Sequence, residues 1–158
     1  MPDEDTHRNR IRRAMISSFL TQDHQRCDGL FAEAEEKVAA GDWEAAGKAF
    51  QAMREAIEHH FAMEESVFFP RFEAASGMTM GPTQVMRQEH EQMRALFDSM
   101  EESLRAREAD AYLGDSETLL IMMQQHNAKE EQILYPMLDA HLQAEAESLV
   151  KEAGGVGN

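Results

Sequence analysis

The chain is poor in several residue types, and each shortage excludes something. It has one cysteine, Cys27, in 158 residues, so no internal disulfide can form. That fits a reducing compartment and sets the expectation of a cytoplasmic protein. Lysine and arginine number 15 against 30 acidic residues, a formal net charge of −15. A surface so short of cations repels a phosphate backbone and an anionic bilayer, so neither nucleic acid nor membrane is an expected partner. No apolar run reaches the ~20 residues of a membrane-spanning helix. The opening MPDEDTHRNRIRR has no apolar stretch behind its basic residues, so no secretory leader is expected. Four prolines and nine glycines leave long uninterrupted stretches, and strand-type alternation of β-branched residues is missing. Tyrosine and tryptophan are scarce, at two and one, whereas methionine and histidine are plentiful, at twelve and seven.

What is present is helical spacing. Four stripes recur at steps of three and four: Ile16, Leu20, His24, Cys27, Phe31, Val38; then Phe50, Met53, Ile57, His60, Glu64, Phe68; then Met86, His90, Met93, Phe97, Met100, Leu104; then Leu119, Met123, His126, Glu130, Ile133, Met137. Gly41-Asp42 separates the first two, the loop AASGMTMGP (74–82) the middle pair, and a weaker break near 107–111 the last two. The expected fold is all-α, an up-down-up-down four-helix bundle over residues 15–152, with an N-terminal arm at 1–14 and a flexible tail at 153–158.

The chain repeats itself at an offset of 66 without a gap: QDHQRCDGLF (22–31) falls on QEHEQMRALF (88–97), and HFAMEESVFFPRFE (60–73) on HNAKEEQILYPMLD (126–139). Two helical hairpins of one design predict internal two-fold pseudo-symmetry. His24 matches His90, His60 matches His126, Glu64 matches Glu130, and Pro70 matches Pro136. From His24 to Gly41 the helix rises about 26 Å, and from Asp42 to His60 about 27 Å, so the two imidazoles return to one level. The second hairpin repeats this. His60 with Glu64, and His126 with Glu130, stand one turn apart on one face. The bundle interior therefore receives a layer of four imidazoles and two carboxylates.

Buried charge without a partner costs several kcal/mol, and facing carboxylates raise each other's pKa. Metal resolves both. Each glutamate can bridge two ions and two histidines can cap each, leaving open positions for O₂, peroxide, NO or water. The mixed N/O set favours iron or manganese over the closed four-coordinate sites of structural zinc.

On His24, HFAMEE (60–65), QEH (88–90) and HNAKEE (126–131), the chain resembles the hemerythrin-like, or HHE cation-binding, domains over about residues 15–140. The resemblance implies a non-haem di-iron centre with His24, His60, Glu64, His90, His126 and Glu130 as ligands and the glutamates bridging. Manganese and zinc rank behind iron. It implies binding of O₂, peroxide or NO in an oxygen or stress response. The alternatives are a di-iron enzyme (peroxidase or NO reductase) or an iron donor or sensor acting on a partner protein's iron centre. Oxygen-carrying hemerythrins have a further histidine where this chain has Arg94, and a histidine–aspartate spacing of five where Glu130 follows at four. A guanidinium stays protonated and cannot ligate. Both departures weaken reversible O₂ carriage and favour redox chemistry, iron exchange or sensing.

Several neighbours carry two readings. His59, about 100° around from His60, is a helix-edge residue or a fifth nitrogen ligand. Cys27 is a small buried hydrophobe or a redox-sensitive thiolate. Tyr135 and Phe69 are core aromatics, with Tyr135 alternatively hydrogen-bonding near the layer. Glu65 and Glu131 are solvated or accept a histidine N–H. Pro70 and Pro136 bend or end their helices beyond the layer.

Overall fold

The structure, a computed structural model, describes residues 3–156. Among these residues it is all-helical, without a strand. A short helix α1 (Glu4–Arg13) leads into α2 (Met15–Ala39). Next comes a long rod of α3 (Trp43–Met63), one π-helical turn (Glu64–Phe68) and α4 (Phe69–Ser76). Helix α5 (Pro82–Arg105) precedes the second long rod, made of α6 (Ala109–Lys129), a second π turn (Glu130–Leu134) and α7 (Tyr135–Leu142). A 3₁₀ turn (Gln143–Glu145) and α8 (Ala146–Gly154) complete the described chain.

The 66-residue repeat holds at the level of backbone: α3, its π turn and α4 recur 66 residues later as α6, its π turn and α7, end for end. The tight turns match as well. Gly41 N–H bonds to Val38 C=O and Asp42 N–H to Lys37 C=O, while Arg107 and Glu108 make the same pair to Leu104 and Ser103. Both are Schellman closures, which require a left-handed residue after the helix. Gly41 supplies it at φ 72°, but the second turn forces Arg107 to φ 54°. A side chain there costs about 1 kcal/mol, and that of Arg107 is exposed. Arg107→Gly is therefore expected to raise stability by about 1 kcal/mol, a melting shift of roughly 2–4 °C for a domain of this size. An unchanged or lowered melting temperature would contradict it. Asp42 also accepts from Ala45 N–H at 3.2 Å, capping α3.

The structure corrects the expected helix count and several boundaries. The arm is helical, with no buried residue. A further helix, α8, buries Ala146, Leu149 and Ala153 against α2 and the first π turn. The segment expected as a flexible tail thus begins inside a helix, and Val156 packs on the core; residues 157–158 lie outside the described part. The central loop starts at Gly77 rather than residue 74, because α4 continues through Ser76.

The fourth apolar stripe is also corrected. Ile133 is 58% exposed, and the first buried residues beyond Glu130 are Leu134, Tyr135 and Leu138. The cause is the π turn: Tyr135 N–H reaches Glu130 C=O, five residues back, so one extra residue enters the turn and the inward face moves on. Phe69 N–H reaches Glu64 C=O in the same way. Each π turn lies just before its proline, and neither proline ends the helix. The Glu65 carbonyl in the first π turn accepts from Arg87 Nη1 at 3.4 Å.

The apolar core falls into two clusters. One holds Cys27, Phe31, Phe50, Ile57, Phe61, Met93, Phe97, Tyr112 and Met123, on the side of the Gly41 and Arg107 turns. The other holds Ile16, Leu20, Phe68, Phe69, Phe72, Leu134, Tyr135, Leu138 and α8. In sequence, each histidine of the layer lies between residues of the two clusters.

Candidate metal centre

Between the clusters, His24 and His90 project from α2 and α5, and His60 and His126 from the last turns of α3 and α6. Glu64 and Glu130 open the π turns. All six are at most 5% exposed. They form two groups, His24–His60–Glu64–Glu130 and Glu64–His90–His126–Glu130, in each of which one donor atom per residue lies within 4.8 Å of the others. Both glutamates are common to both groups. The structure thus brings together all six residues singled out by spacing.

The inner atoms are close but poorly paired. His24 Nε2 lies 3.1 Å from Glu130 Oε1, His126 Nε2 3.1 Å from the same oxygen, and His90 Nε2 3.1 Å from Glu64 Oε1. Only the first of these has hydrogen-bond geometry. His90 Nε2, His126 Nε2, Glu64 Oε1 and Glu130 Oε2 are buried without a hydrogen-bond partner. Native interiors rarely leave such atoms unpaired. Two orphaned imidazole nitrogens beside two orphaned oxygens of the shared carboxylates are what a cation would satisfy, and the N/O set fits iron or manganese.

Three of the four outer nitrogens are held separately, and His24 Nδ1 has no hydrogen-bond partner. His60 Nδ1 donates to Asp23 Oδ2 at 2.8 Å, and its repeat mate His126 Nδ1 to Glu89 Oε1 at 2.8 Å. His90 Nδ1 donates to Glu65 Oε2 at 2.7 Å. Glu131 Oε2 approaches His24 Nδ1 less closely, at 3.8 Å. Carboxylates on Nδ1 fix the ring and aim Nε2 inward. Glu65 and Glu131 thus reach across to the opposite half, while Asp23 and Glu89 stay in their own. Sequence reasoning did not single out Asp23 or Glu89; the signal available was an acid immediately before the helix histidine in both repeats.

Burial alone would push the His60 imidazole down, but Glu64 and Asp23 beside it carry it up to about 10. His90, also desolvated, rises to about 9 beside Glu64 and Glu65. Burial would raise Glu64, yet His60 and its other partners hold it well below the usual carboxylate range. The carboxylates thus favour the protonated form of the His60 and His90 imidazoles, and a cation that binds there competes with those protons.

For Tyr135 the alternative reading holds, and it hydrogen-bonds within the layer rather than serving only as a core aromatic. The π turn swings it inward, and its hydroxyl donates to Glu64 Oε2 at 2.7 Å. The readings of the remaining residues resolve. His59 belongs to neither group and lines an outer groove with Arg26 and Glu58. Arg94 turns away from the layer to ion-pair with Glu58, Glu65 and Glu91. Its guanidinium lies 5.2 Å over Phe61, whose ring stacks on His90 at 3.9 Å. Cys27 is buried, and burial with the nearby Asp23 charge pushes its thiol up to about 12. It is therefore a protonated hydrophobe at neutral pH, with negligible thiolate.

Beside His24 and His60 is a cavity of about 10 Å³ lined by Cys27, Ile57, Phe61, Met93 and Met123. That is about the space of one water-sized molecule. Asn127, Met123 and His24 also border a groove opening between α2 and α6.

A family model of the hemerythrin HHE cation-binding domain matches residues 15–138. No curated protein and no solved structure matches the chain.

Proposed function

Because the chain belongs to the hemerythrin HHE cation-binding domain family, we propose that its buried layer holds two iron ions and binds a small ligand such as O₂, peroxide or NO. The observation that carries this is the pair of four-residue donor groups sharing Glu64 and Glu130. His24 and His60 would cap one ion, His90 and His126 the other, and the two glutamates would bridge. Iron ranks ahead of manganese and zinc because each group offers two nitrogens and two shared oxygens, short of a full shell. Bound iron supplies Lewis acidity and a change of oxidation state. The protein's own part is to hold six donors in a dry layer and to orient the imidazoles through Asp23, Glu65 and Glu89.

We read the four long rods as an up-down-up-down bundle with two-fold pseudo-symmetry, flanked by α1 and α8. The small ligand is supported by the cavity at His24 and His60, which has room for about one water-sized molecule. His24, Met123 and Asn127 line both this cavity and the groove between α2 and α6. A cytoplasmic stress-response role fits the reducing compartment indicated by the single buried thiol.

The test is the optical spectrum of the iron-loaded protein with and without O₂. A small-ligand binder changes its visible spectrum on exposure, and no change with O₂, peroxide or NO would contradict the proposal. A peroxidase or NO reductase would in addition turn over many equivalents per centre. An iron donor would lose its metal to an apo-acceptor without a chelator.

A further inference from the structure

The two donor groups are alike in their histidines and glutamates but not in what covers them. The repeat sets Tyr135 against Phe69, so one group faces a phenol oxygen that the other lacks. Tyr135 is fully buried, and its oxygen has four close neighbours: Glu64 Oε2 at 2.7 Å, His24 Nε2 at 3.1 Å, His60 Nε2 at 3.2 Å and Glu130 Oε1 at 3.2 Å. All four residues belong to the His24–His60 group. A hydroxyl has one proton and two lone pairs, so hydrogen bonding accounts for at most three neighbours.

The spacing has another explanation. With metal–donor bonds of about 2.1 Å, adjacent corners of an octahedron are about 3.0 Å apart and opposite corners about 4.2 Å. The phenol oxygen stands at the adjacent-corner distance from all four atoms. Among those four, His24 Nε2 and Glu130 Oε1 are 3.1 Å apart and His60 Nε2 and Glu64 Oε2 3.6 Å apart, and one donor atom of each residue lies within 4.8 Å of the others. An oxygen at that distance from four donors is placed to join them around one cation.

We propose, resting on the two-metal reading above, that Tyr135 is a fifth protein ligand at the His24–His60 position, its oxygen binding the cation and its proton leaving to solvent. The two positions are then unequal, with five protein donors at one and four at the other. Tyr135 comes from the Phe68–Leu138 cluster, whereas the small cavity is lined by the opposite cluster.

The experiment compares wild type with Tyr135→Phe, loaded with ferric iron and titrated with iron. Phenylalanine at the repeat-equivalent Phe69 shows that the ring alone suits this helical position. Wild type is expected to show a visible phenolate-to-iron charge-transfer band and tyrosinate modes in its resonance Raman spectrum. Tyr135→Phe should lose both, keep about two irons, and bind one of them about 10–100-fold more weakly. If wild type takes up two irons without tyrosinate modes, or the two proteins titrate identically, the phenol is no ligand and the two-metal reading stands. If wild type takes up no iron, both fall.

Discussion

The double variant His60→Ala, His126→Ala is expected to lose nearly all bound metal. It removes one nitrogen from each donor group while leaving the shared glutamates in place. Loss of an outer hydrogen-bonding partner to a metal-ligating histidine costs 10–100-fold in affinity, so loss of the ligand at both positions should exceed about 100-fold. The folded state suffers as well. Asp23 and Glu89 lose the N–H groups they accept at 2.8 Å, and Glu64 loses the imidazole that most offsets its burial. Breaking a buried ion pair from one side costs about 3–5 kcal/mol, so the variant should also melt well below wild type. Metal content per chain, measured on protein shown to be helical by circular dichroism, checks the first effect. Full metal content with an unchanged spectrum would overturn the ligand assignment. Asp23→Asn with Glu89→Gln is the milder companion: it leaves every inner donor in place and should show only the 10–100-fold range.

Stripping metal from the intact protein should have the second large effect. A ligand that binds only the folded state stabilises it by RT ln(1 + [L]/Kd), about 4 kcal/mol at a thousandfold excess over Kd. For a domain of this size that is a fall in melting temperature of roughly 10 °C on chelation, restored by adding metal back. The effect should vanish in the double histidine variant, which separates site-specific metal from ions on the acidic surface. Equal melting temperatures with and without chelator would count against a metal-filled layer.

The six inner residues could be found without coordinates because three signals coincide on them: a polar residue on an apolar stripe, the His-x-x-x-Glu step, and the offset of 66. Helix length then sets their common level, since rise per residue is nearly invariant. What stayed hidden is what breaks the 3.6-residue period. A π turn inserts one residue per turn, and nothing in EESVF or EEQIL announces it. Its consequence is that Ile133, on the expected stripe, faces solvent and Tyr135, off it, joins the centre. Asp23 and Glu89 were hidden for another reason. An acid beside a helix histidine looks solvent-facing in a sequence, and only helix packing brings it to the Nδ1 of a histidine on the neighbouring helix. The helical arm buries no residue, and α8 is short, with Ala146, Leu149 and Ala153 its buried residues.

The most direct measurement is the iron content of protein produced with iron supplementation, by elemental analysis against chain concentration. Two groups of donors sharing two carboxylates require about two ions per chain. A ratio near two is the predicted result, and a ratio near zero would contradict the account at its centre.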